Sequence, residues 1–219
     1  MQKQFVIIGI GRFGSSLART LTNMGYDVLA IDSNVERVQN FTSEVTHVVE
    51  ADATEPETLK ALGIGNFDVA VVAIGDCIQA SILVTVLLKD LGVKKVVAKA
   101  INDLHGRVLE KVGADKVVYP ERDMGIRIAH QLISTNVLDQ IELSSDFSVQ
   151  EVLAPPKLID KTLKELDLRP RFGVSVMAIK RGGEILVNPG ADDTVKARDV
   201  LVVLGSNVEL ARFEEEYHE

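Results

Sequence analysis

The chain opens with a short continuous apolar run, Phe5 to Ile8, that ends in Gly9-Ile10-Gly11-Arg12-Phe13-Gly14. Behind the glycines the period changes. Phe13, Leu17, Leu21 and Met24 recur at helical spacing and predict one apolar helix face. The same alternation of apolar run and helical period continues. Strand 27–31 is closed by Asp32, and strand 46–50 leads into a helix at 55–62 with Thr54 as N-cap and Pro56 in its first turn. Strand 68–74 is apolar throughout, as a parallel strand buried on both faces should be. Strand 94–99, a helix at about 103–112, a short strand 117–119 and a helix from Pro120 to about Ser134 complete the series. Strands joined by helical crossovers predict an α/β fold with a doubly wound parallel sheet of Rossmann type.

The pattern changes after Ser134. Residues 136–143 read as a connector or a short crossover helix. Strand 147–153, Pro155-Pro156, a short helix at 162–166, and strand 174–180 turning at Gly182-Gly183 into strand 184–188 follow. Strand 199–204 and a helix at 207–216 end the chain, with Leu210 and Phe213 facing inward and Glu214, Glu215 and Glu216 outward. We expect two domains, residues 1–140 and a small α+β domain of residues 141–219.

Two local patterns add to this. A strand, a Gly-x-Gly-x-x-Gly turn and a helix, in that order, form the context a dinucleotide fingerprint requires. Gly9 would permit the tight turn, Gly11 the close approach of a pyrophosphate, and Gly14 the packing of helix on strand. The free N–H groups of the helix start would face the phosphate. Asp32 follows the first glycine at about the 20-residue spacing of a ribose-binding carboxylate, and its charge disfavours a 2′-phosphate. Asp32 could equally cap the next helix with Ser33 and Asn34. The second pattern is the helix at 77–91, apolar nearly all round. Such a helix must be covered on more than one side. A second subunit is the expected cover, and burial within one chain is the alternative.

Composition narrows the class. Hydrophobic residues make up 46% and charged residues 26% of 219 residues, enough to bury a core without staples. The single cysteine, Cys77, excludes an internal disulfide, and its place at a helix start predicts a packing role. The net charge of −8 argues against a nucleic-acid partner. No secretory signal and no run near ~18 apolar residues is present. His47, His105, His130 and His218 are scattered without metal-ligand spacing and read as surface or packing residues. No nucleophile–base arrangement stands out, so we expect no enzyme. Arg12, at the mouth of the phosphate turn, could reach a terminal phosphate or stay solvated.

Gly-Ile-Gly-Arg-Phe-Gly, Ile-Asp, Asp-Ala-Thr, Ala-Ile-Gly, Gln-Ala-Ser, Lys-Ala, Gly-Ala-Asp and Tyr-Pro-Glu-Arg-Asp-Met-Gly occur in that order. Together they resemble the cytosolic RCK subunits (TrkA-N/KTN followed by TrkA-C) of bacterial potassium transporters, KtrA/KtrC type. The resemblance implies a non-catalytic regulatory subunit that binds ATP or ADP, or alternatively NAD(H). It also implies homodimers assembled into an octameric ring, docked on an integral-membrane potassium-translocating subunit of KtrB/TrkH type. Its place would be cytoplasmic, peripherally at the inner face of the cell membrane. By the same resemblance Gly9, Gly11, Arg12, Phe13 and Gly14 would hold phosphates, Asp32 and Ser33 the ribose, and Asp52, Ala53 and Thr54 the adenine end. Ala73, Ile74, Gly75 and Lys99 would close the site. Glu121 would help bind a divalent or monovalent cation near the phosphates; from the residues alone it is a helix-start acid pairing with the dipole. Leu168, Arg169 and Phe172 match a stretch that binds cyclic di-AMP, against the alternative of a helix end and a turn. Outside the family, an NAD-dependent oxidoreductase and a nicotinamide-sensing transcriptional regulator are the competing readings.

Overall fold

The computed structural model describes residues 3–133 and 137–217. The chain divides into two compact units, Met1–Arg122 and Asp123–Glu219.

In the first unit β1 (Gln4–Ile8), β2 (Asp27–Asp32), β3 (His47–Glu50), β4 (Val69–Val72), β5 (Lys95–Lys99) and β6 (Lys116–Val118) form one parallel sheet. The order is β3-β2-β1-β4-β5-β6. The continuous apolar strands are explained by the period of two along a strand. Val6, Ile8, Leu29, Ile31 and Val72 enter one core, with Val84 and Leu88 on the covering helix. Ile7, Val28, Ala30 and Val71 enter another, under Ala18. Both faces are therefore buried, as parallel sheets require. The strand order reverses between β1 and β4, and ligands of such sheets sit at that switch, beyond the carboxyl ends.

The crossovers are α1 (Arg12–Asn23), α2 (Val35–Phe41), α3 (Pro56–Ala61), α4 (Ile78–Asp90) and α5 (Asp103–Lys111). α6 (Pro120–Ile133) starts in the first unit and runs into the second. Met24 lies past the end of α1 and is exposed; Phe13, Leu17 and Leu21 do pack against the core, on either side of the fully covered Gly14 and Ala18. Glu55, not Thr54, is the N-cap of α3, because the Thr54 hydroxyl is turned back onto Asp52 Oδ1 at 2.7 Å. In α4 the small polar residues face inward. Ser81 and Thr85 are fully buried, whereas Ile78 and Leu83 are 40% and 45% exposed. Small side chains let the helix approach the sheet, and the Thr85 hydroxyl donates to the Ser81 carbonyl at 2.8 Å within the helix. Cys77 caps α4 and is exposed, so its packing role is also corrected.

The second unit carries an antiparallel sheet of order β10-β9-β11-β8-β7. Its strands are β7 (Val137–Glu142), β8 (Phe147–Leu153), β9 (Ser175–Arg181), β10 (Glu184–Val187) and β11 (Val200–Ser206). The stretch expected as a connector or crossover helix is β7. It pairs with β8 with an irregularity between Val137 and Asp139, which breaks the alternation a strand normally shows. Residue 136 of that expectation lies outside the described residues. α9 (Asn207–Tyr217) lays Leu210, Phe213 and Tyr217 on Val152, Leu201 and Val203. Glu214 is not fully outward: it accepts a hydrogen bond from Gln150 Nε2 at 2.8 Å. Between strands, α7 (Leu163–Leu166) begins with a Thr162–Glu165 capping box. α8 (Leu168–Phe172) continues as a short helix where a turn was the alternative, with Pro170 in its first turn, where a missing N–H costs little.

Asp199, wholly buried just before β11, accepts from Arg181 Nε and Nη2 at 2.7 and 2.6 Å and from the Lys196 backbone N–H at 2.7 Å. The two-pronged guanidinium bond holds its carboxyl below the usual range.

Candidate functional site

At the β1/β4 switch the ends of the strands open into a cleft of about 750 Å³. That is within the ~300–1,000 Å³ of small-molecule sites. It gathers Gly9, Gly11, Arg12, Phe13, Asp32, Ser33, Asp52, Ala53, Thr54, Ala73, Ile74, Gly75, Lys99 and Glu121 along its wall. Gly14 is behind it. A Cβ there would lie 1.9 Å from the Gly9 carbonyl oxygen, so the residue sets how close α1 comes to the turn. Gly9 has φ of +101°, and a Cβ on it would stand 3.1 Å from the Ala73 backbone. Beside Gly11 the space is open. A glycine turn with room over its middle residue and a helix start behind it fits a bound pyrophosphate.

Asp32, at the end of β2, is the turn's clamp as well as the candidate ribose ligand. Its Oδ2 accepts from Ile10 N–H at 2.6 Å, and its Oδ1 accepts from Asn34 N–H at 2.9 Å. Asn34, not Asp32, caps α2, through its own side chain on Arg37 N–H. Arg37 Nη1 stands 3.4 Å from Asp32 Oδ2 and also lines the cleft. A carboxylate can accept all these bonds and still offer a lone pair to a hydroxyl. An amide cannot, because one of its ends is a donor facing a donor. Asp32→Asn is therefore expected to weaken nucleotide binding by about 1–3 kcal/mol, read by calorimetry, and to lower the melting temperature. A lowered melting temperature with unchanged affinity would assign Asp32 to the turn alone.

The two ends of the cleft differ. Toward β3, Asp52 accepts from the Thr54 hydroxyl and backbone N–H at 2.7 and 2.9 Å, and these bonds depress its pKa. Ala53 is buried beside them. Toward β5, Lys99 Nζ meets Glu121 Oε1 at 2.5 Å, with the lysine side chain 12% exposed and the glutamate 70%. That hydrogen bond, with lesser help from the charges of Lys99 and Arg12, lowers the Glu121 pKa. Arg12 is exposed at the lip. Arg37, Asp76 and Cys77 also line the cleft and were not anticipated. A signal existed for Arg37, which lies in the helix just after Asp32, and for Asp76 and Cys77, which directly follow Gly75.

The stretch matched to cyclic di-AMP is α8 and its cover in the second unit. Leu168 is buried in the second unit's core. Phe172 packs edge-on against Phe213 and Tyr217, and Arg169 is exposed. Among the described residues no group of three or more His, Cys, Asp or Glu could hold a metal ion. His47 is exposed and His105 is buried; the side chains of His130 and His218 lie outside the description. Among the described residues no helix is long and apolar enough to cross a membrane.

The sheet order, the glycine turn and the acid at the end of β2 define a Rossmann-type domain with a nucleotide-binding architecture, followed by a small α+β unit. Residues 5–120 match the TrkA-N domain and residues 149–218 the TrkA-C domain, and the chain belongs to this TrkA-N/TrkA-C family. It is 46% identical over 214 residues to Ktr system potassium uptake protein C of Bacillus subtilis (strain 168), covering 98% of this chain and 97% of that protein. It is 39% identical over 209 residues to Ktr system potassium uptake protein A of Vibrio alginolyticus, covering 95% of each. Among solved structures, the GsuK RCK domain superposes over the whole chain with a TM-score of 0.72 at 21% identity, and the chain spans 48% of it. The GsuK channel bound to NAD gives 0.70 at 20% identity over the whole chain, which spans 40% of it. At these identities the likeness speaks for the fold.

Proposed function

We propose that this protein is the nucleotide-binding regulatory subunit of a potassium uptake system. The carrying observation is the charge layout of the cleft, with an acid at the ribose end and the cations Lys99 and Arg12 at the phosphate end. The near-full-length identity to Ktr potassium uptake proteins supports the transport context. ATP or ADP is the proposed ligand, with NAD(H) as the alternative favoured by the NAD-bound GsuK neighbour. Homodimers in an octameric ring would pass the nucleotide state to a membrane potassium-translocating partner. A nucleotide can do so only by binding two states of that ring with different affinity. A cation at Glu121 would sit between its carboxylate and the phosphates, since the described residues offer no cage of three or more His, Cys, Asp or Glu. Cyclic di-AMP at Leu168–Phe172 would have mainly Arg169 to hold it in one copy, and so would bind between two.

Isotherms of ATP, ADP and NADH on the purified chain, with a hydride-transfer assay alongside, test this reading. Saturable binding without turnover is expected; steady hydride transfer to a small substrate would make the protein an oxidoreductase instead. Arg12 extends beyond the pyrophosphate turn, so it can discriminate a third phosphate where the glycines cannot. Arg12→Ala is expected to leave ADP affinity within a few-fold and to weaken ATP by about tenfold, near 1.4 kcal/mol. Equal losses for both nucleotides would show that Arg12 serves the pyrophosphate generally.

A further inference from the structure

We infer that Glu121 sets the ligand preference of this cleft by standing in for a terminal phosphate on Lys99. The inference rests on the nucleotide reading of the cleft and goes beyond it, because it says which nucleotides must compete with a group of the protein.

The geometry is specific. Lys99 ends β5, yet its ammonium is drawn back over the end of β4: a Cβ on Gly75 would lie 3.2 Å from Nζ. β4 is the strand next to β1 and its glycine turn. The ammonium therefore stands beside Gly75, in the loop after β4, and lines the same cleft as Gly9, Gly11 and Asp32. A chain of phosphates that starts from a ribose at Asp32 and crosses Gly9–Gly11 is directed toward it. In the structure the ammonium is already engaged, at 2.5 Å, by the second residue of α6.

The two partners are unequally placed. Lys99 is nearly withdrawn from water, so its attraction for an anion is weakly screened. Glu121 is mostly in water, so turning its carboxylate outward costs little desolvation. A terminal phosphate brings more charge and more acceptor oxygens than a carboxylate, and a carboxylate left beside it repels it. Terminal phosphate and Glu121 are therefore alternatives on one ammonium. NADH presents no terminal phosphate. Its pyrophosphate is internal, and its far end is an uncharged ring with a ribose, which does not compete for an ammonium. Glu121 thus penalises ADP and ATP and spares NADH. Displacement of Glu121 would also be felt at the first turn of α6.

The test is calorimetric titration of the full chain with ADP, ATP and NADH in buffer with a chelator, so that no divalent cation bridges Glu121 to phosphate. Glu121→Gln is expected to tighten ADP and ATP by about fivefold to tenfold and to leave NADH within about twofold. Glu121→Ala should act in the same direction, which covers the case of a glutamine that still accepts from Lys99. Lys99→Met should weaken ADP and ATP by about tenfold or more and change NADH less. If both Glu121 variants loosen ADP and ATP in chelator, or move NADH as much as ADP, the stand-in role is wrong while the nucleotide site stands. If wild type binds none of the three, the reading of the cleft falls, and this inference with it.

Discussion

Gly14→Ala is expected to lower the melting temperature of the first unit by at least about 5 °C and to abolish nucleotide binding. Two effects oppose each other. Alanine in place of glycine inside α1 gains about 1 kcal/mol of helix propensity. Against that, the new Cβ would lie 1.9 Å from the Gly9 carbonyl oxygen and 3.1 Å from its carbon. Both are backbone atoms of a turn that is itself bonded, by Gly9 N–H to the Ile31 carbonyl at 2.8 Å and by Ile10 N–H to Asp32. No rotamer relieves such a contact, so α1 or the turn must move. Overpacking of this kind costs about 1–3 kcal/mol and more against backbone, which outweighs the propensity gain. A thermal melt and an ADP isotherm on the same sample check it. A variant as stable as wild type would mean that α1 is free to lift from the sheet.

The second large effect lies in the other unit. Arg181→Met is expected to destabilise it by about 3 kcal/mol at neutral pH, because it leaves the buried Asp199 carboxylate without its counter-charge. The reverse deletion, Asp199→Ala, should cost less, since Arg181 is half exposed and returns to water. The sign with pH follows from the direction of the shift. Asp199 has a depressed folded pKa. Its contribution is present above the unfolded value of about 3.9 and is lost as pH falls through the folded value. Urea melts should therefore show a full deficit for Arg181→Met at pH 7 that narrows as pH falls, first as the variant's unpaired Asp199 takes up a proton and then, below about pH 4, as the unfolded chain does, while the paired wild-type carboxylate stays charged longest. A deficit that stays constant into acid would mean that the loss is one of packing by the arginine stem.

Much of the first unit could be read directly from residue order. Its central strands β1, β2 and β4 are buried on both faces, so they appear as apolar runs, and the glycine spacing marks where the first run meets its helix. Asp32 was found for the same reason, since it terminates such a run. The edge of the second sheet could not be read in this way. β7 carries Asp139 and Gln140 in succession and a slipped register, so its alternation is broken where a sequence reader would look for it. The direction of α4 was also hidden. Periodicity assigns apolar residues to the inside, but close approach to a sheet also admits small polar ones, and Ser81 and Thr85 share the buried face with Val84 and Leu88.

The sequence by itself determined what depends on neighbours along the chain: the glycine turn, the acid that closes β2, the succession of strand and helix, and the family to which these ordered motifs belong. Only the tertiary structure decided which distant groups meet. Asp32 became a clamp because Ile10 N–H, just after β1, points at it from the neighbouring strand end. Arg181 found Asp199 across neighbouring strands, and Lys99 found Glu121 at the start of the next crossover helix but one. Such pairs leave no period in the sequence. They form where strand ends converge, each with one partner withdrawn from water, and at the first sheet they give the cleft its charge layout.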